Sequence, residues 1–76
     1  MSKHYKITEY RPGDTHSVRR FIHAEFDAIN HRWNIHMHHE YFGDTTIHVV
    51  SDPDKFIRTF ADNLRRPGVY VNVTSK

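Results

Sequence analysis

Residues 33–50, WNIHMHHEYFGDTTIHVV, read as two short strands joined by a turn and hold four of the chain's eight histidines. Side chains alternate between faces along a strand. From Ile35 to Tyr41, therefore, Ile35, Met37, His39 and Tyr41 share one side, and His36, His38 and Glu40 share the other. Downstream, Thr45, Ile47 and Val49 alternate with Thr46, His48 and Val50. A two-residue Gly43-Asp44 turn would pair Tyr41 with Thr46 and His39 with His48, dividing the apolar residues between the faces. A three-residue Gly43-Asp44-Thr45 loop pairs Tyr41 with Ile47 and His39 with Val49, which gathers them on one face. The second register is expected. It sets Glu40 opposite His48, with His38 on the diagonal and within side-chain reach.

Upstream, Lys3 to Tyr10 alternates as a strand, with Tyr5 and Ile7 on one side and His4, Lys6 and Thr8 on the other. Arg11-Pro12-Gly13-Asp14 breaks it. Val18, Phe21, Ile22, Phe26, Ile29 and Trp33 then recur at spacings of three and four, which predicts a helix capped by Asp14 or Thr15 and running to about Trp33. Downstream, Ser51-Asp52-Pro53-Asp54 is a second helix start, combining a cap with proline in the first turn. Phe56, Ile57, Phe60, Ala61 and Leu64 form its apolar stripe, and Arg65-Arg66-Pro67-Gly68 ends it. Val69 to Val73 closes as a strand with its valines inward and Tyr70 and Asn72 outward.

The expected order is β-α-β-β-α-β, the ferredoxin-like split βαβ plan. It makes residues 1–76 a single compact domain, a four-stranded antiparallel sheet with two helices on one face. The other face would show His4, Lys6, His36, His38, Glu40, His48, Tyr70 and Asn72 as a binding face. Trp33, Tyr41, Phe42, Arg19 and Arg32 are the expected rim.

Composition narrows the chemistry. The chain has no cysteine, so disulfides, thiolate zinc sites and cysteine nucleophiles are excluded. Apolar residues make up 37% and mean hydropathy is −0.77, with no run long enough for a membrane span or secretion signal. A cytoplasmic chain is expected, in the host cytosol if it is phage-encoded. A net charge of +2 is a mild basic bias, well short of a nucleic-acid signature.

The expected function is a small non-catalytic interaction module of inhibitor or adaptor type, binding a protein through the open sheet face or an edge strand. Phage and mobile-element accessory proteins are often of this size. A homodimer through an edge strand is a related reading. No enzyme is expected, since a histidine–carboxylate pair at His48 and Glu40 has neither nucleophile nor deep pocket beside it. No cofactor or metal is expected; the alternative is zinc or another divalent ion held by His38, Glu40 and His48. The other alternative is nucleic acid, stacked on His or Tyr70 and held by Lys6 and helix-end arginines. The element order resembles that of RNA-recognition domains, although TTIHVV lacks their basic-glycine-aromatic pattern. His36-Met37-His38 resembles the His-hydrophobe-His signature of nucleases that nick single-stranded DNA with a tyrosine. Residues 54–66 carry no such tyrosine.

Overall fold

A computed structural model describes residues 1–13, 16–49 and 51–75. The expected cap at Asp14 or Thr15 and the outward place of Val50 lie outside them. Five strands and one helix follow in order: β1 (Ser2–Tyr10), β2 (Ser17–Asp27), β3 (Arg32–His39), β4 (Gly43–Val49), α1 (Pro53–Leu64) and β5 (Tyr70–Ser75). The strands form one antiparallel sheet in the order β4-β3-β2-β1-β5. The split βαβ plan is therefore overturned. In place of a four-stranded sheet under two helices there is a five-stranded sheet under a single helix.

The difference lies in residues 17–33. Their apolar residues fit helical spacing, yet they fit a period of two as well: Val18, Ile22, Ala24 and Phe26 share one face of β2. Arg20 on that face is covered by an ion pair with Glu9 of the neighbouring strand. Valine, isoleucine and phenylalanine suit a pleated, half-covered surface. All nine residues of β1 find a partner in β2, from Ser2 opposite Glu25 to Tyr10 opposite Ser17. Ile29, expected on a buried stripe, is 89% exposed in the turn between β2 and β3. There the Asp27 carboxylate accepts from the amides of Ile29 and Asn30 at 3.1 and 3.3 Å, and His31 takes φ 52°. Aspartate and asparagine favour such local closure over helix.

The β3–β4 hairpin keeps the expected sharing of faces but not the expected pairing. Ile35 sits opposite Ile47 and Trp33 opposite Val49. The loop is three residues long, as expected, but consists of Glu40, Tyr41 and Phe42. Moving a loop back by three residues moves every partner by six. The His39 ring fixes this position by accepting the amides of Tyr41 and Phe42 at 3.0 and 3.1 Å. Gly43 supplies φ 86°, which costs glycine little.

α1 forms where expected. The Asp52 carboxylate caps it, accepting from the amides of Asp54 and Lys55 at 3.0 and 3.2 Å, with Pro53 in the first turn. The helix carries the chain from edge strand β4 across the sheet to β5, so all crossover cover lies on one face. Ile57 and Ala61 pack there on Tyr5, Ile7, Ile22, Ala24, Ile35, Met37 and Val71. At the margin, the Asp54 carboxylate accepts the Tyr5 hydroxyl and pairs with Lys3 at 3.0 Å.

Candidate functional site

Among the described residues the opposite face of the sheet carries no helix. Register decides which side chains meet there, and it assembles rows across the strands. One row runs His4, His23, His36, Thr46 across β1, β2, β3 and β4. The His4 and His23 rings stack at 4.6 Å between centroids and 15° between planes, and His36 follows at 6.2 Å. The next row runs Thr74, Lys6, Phe21, His38, Asp44. Toward one end, Tyr10 stacks on Tyr70 at 5.6 Å.

The histidines near the β4 edge are each anchored through Nδ1. That of His36 lies 3.2 Å from Thr46 Oγ1, that of His38 2.6 Å from Asp44 Oδ1, and that of His48 2.6 Å from Asn34 Oδ1. These bonds fix ring direction and leave the imidazole edges facing outward. A hollow opens on this face. The hollow has a volume of about 760 Å³ and is lined chiefly by His4, Lys6, Phe21, His23, His36 and His38. That is within the range of ligand-binding clefts, and it is open rather than enclosed.

Most residues expected on this face lie on it: His4, Lys6, His36, His38, His48, Tyr70 and Asn72 all fall on the bare side by strand phase, as does Arg19, expected at the rim. Glu40 instead lies in the β3–β4 turn, where it accepts the Arg19 amide at 3.1 Å. The expected pairing of Glu40 with His48 is thereby corrected, since His48 faces Asn34. His48 lies opposite Asn34, four residues from His38 along β3 and so about 13 Å away at strand rise, and His38, Glu40 and His48 do not converge on one ion. Among the described residues no group of three His, Cys, Asp or Glu side chains is arranged to hold a metal.

The rim divides. Tyr41 and Phe42 stand at the hairpin tip, with Phe42 87% exposed. Trp33 lies on the helix-covered side, edge-on to Phe26 at 5.4 Å and beneath the Lys3 ammonium. Arg32 sits at the start of β3, its Nε 3.9 Å from Asp27.

Two residues of the face were missed in the sequence: Phe21 was assigned to a buried helical stripe, and His23 fell within the same expected helix. The alternation of Val18, Ile22, Ala24 and Phe26 against Arg19, Phe21, His23 and Glu25 is the signal that places them. Fixed charge here is evenly balanced, with Lys6, Arg19 and Arg32 against Glu25, Asp27 and Asp44.

No family model, curated protein or solved structure matches the chain.

Proposed function

We propose that this protein is a non-catalytic interaction module whose bare sheet face docks a protein partner around Phe21. One observation carries the reading: Phe21 lies on β2, the central strand of five, and is 47% exposed in the middle of the hollow. Lys6 and His38 are its cross-strand neighbours, and Arg19 and His23 flank it along β2. A large apolar ring at the centre of a patch rimmed by polar groups matches the anatomy of interface hot spots. The even fixed charge favours a protein over a phosphate backbone, whose binding draws on a surplus of lysine and arginine. No helix among the described residues is long and apolar enough to cross a membrane, which accords with a cytoplasmic site of action.

The test compares the wild-type chain with F21A and H38A as baits in lysate of the source cells. The reading expects one protein retained in stoichiometric amount by the wild type, lost on F21A, and bound with little dependence on salt. Equal recovery by all three baits overturns it. So does retention of nuclease-sensitive material whose binding falls steeply with salt, the outcome belonging to the nucleic-acid reading.

A further inference from the structure

β4 is an outer strand, and among the described residues nothing pairs with its far side. Its sequence, GDTTIHV, contains no proline, lysine or arginine, the residues that commonly blunt exposed edges. We propose that β4 pairs antiparallel with β4 of a second copy about a two-fold axis through Thr46. This goes beyond the face centred on Phe21 and does not depend on it.

Pleat and charge together select that axis. To join polar face to polar face, each even-numbered residue must meet an even-numbered residue of the other copy. An axis at Thr45 sets Asp44 against Thr46, and one at Ile47 sets Thr46 against His48; neither brings a carboxylate to an imidazole. The axis at Thr46 sets Asp44 of each copy against His48 of the other, Thr45 against Ile47 and Gly43 against Val49. Two-fold symmetry makes each of these contacts twice. The groups facing Asp44 are then His38 of its own chain, at 2.6 Å, and His48 of the second copy. His48 has Nδ1 engaged by Asn34, so Nε2 is the nitrogen that meets the second Asp44. Ile47 and Val49, both half-buried, gain cover on the helix side. The other edge, β5, is YVNVTS and has no charged side chain to choose a register. The product is a continuous ten-stranded sheet with the two bare faces side by side.

The chain has no cysteine, so a single introduced thiol reports the axis directly. T46C places two thiols on directly opposed residues, whose Cβ atoms lie roughly 4.5–5.5 Å apart across an antiparallel pair. Oxidation of purified full-length T46C is expected to give a disulfide-linked dimer as the main product, at least tenfold faster than T74C on the β5 edge. Sedimentation equilibrium of the wild-type chain is expected to show a reversible dimer. D44K is expected to weaken it roughly tenfold, by removing at both contacts the carboxylate that meets His48 Nε2. D44H/H48D, which inverts the pair in both copies, should recover the association. A monomer at millimolar concentration, T46C cross-linking no faster than T74C, or an open-ended series of masses from β4 meeting β5 would each overturn the proposal. The cross-linking result does not require D44K to fold.

Discussion

Tyr5 illustrates how one side chain ties sheet to helix. Its ring is buried in the core while its hydroxyl donates to Asp54 in the first turn of α1. Burial, then the Asp54 contact, pushes the Tyr5 phenol well above its ordinary range. The Tyr5 hydroxyl, followed by Lys3, holds the Asp54 carboxyl below its own. A raised phenol contributes stability that is present below pH ~10 and is lost as pH rises beyond it. A depressed carboxyl contributes stability that is present above pH ~4 and is lost as pH falls through its lowered value. Y5F keeps the ring, removes the first contribution and takes from the second the hydroxyl's share, leaving that of Lys3. Urea melts at pH 7 should therefore show a loss of about 1 kcal/mol, modest because Asp54 is half-exposed. The wild-type advantage should shrink at both pH 3 and pH 11. An advantage that stays constant across that span would show that the hydroxyl does not link the two groups. Phe21 should behave oppositely. It stands on the outer surface, so F21A should cost about 1 kcal/mol or less in the same melts while abolishing partner capture.

Element by element, legibility followed whether one spacing or two fitted the residues. α1 was plain because Asp52-Pro53-Asp54 combines a cap with first-turn proline and Pro67-Gly68 suits a helix stop. D52A should cost about 1 kcal/mol, read as an earlier urea midpoint, because two first-turn amides lose their acceptor. An unchanged midpoint would mean that water serves them equally well. β1 and β5 were also plain from strict alternation. Residues 17–33 were not, because Val18, Ile22 and Phe26 satisfy a helical stripe and a strand face together. The decision came from distant pairing with β1 and β3, which no local spacing encodes. That error cost the fold class and hid Phe21 and His23. The face-sharing of β3 and β4 was legible because parity alone sets it. The loop position was not, because it rests on the His39 ring accepting two amides. The candidate face survived a wrong topology for a simple reason: strand phase, which was read correctly for β1, β3, β4 and β5, fixes the side to which a residue points.

At the scale of the whole molecule, a 76-residue chain has five strands and, among the described residues, one helix to cover them. Domains of this size have a net stability of roughly 4–11 kcal/mol. Ile57 is 1% exposed, and it and Ala61 are the apolar helix residues packed in the buried cluster against the sheet. Truncation of a fully buried isoleucine to alanine costs about 2–5 kcal/mol, through lost transfer energy and the cavity left behind. I57A should thus remove a large share of the total. Its urea midpoint should fall by a third or more with an unchanged slope, and far-ultraviolet and tryptophan signals should move together because Trp33 packs against the same cluster. A sheet that kept its signal after the helix melted would show that β1–β4 hold without cover. The bare face would then owe its shape to the meander alone, whereas coincident loss makes that face dependent on the helix behind it.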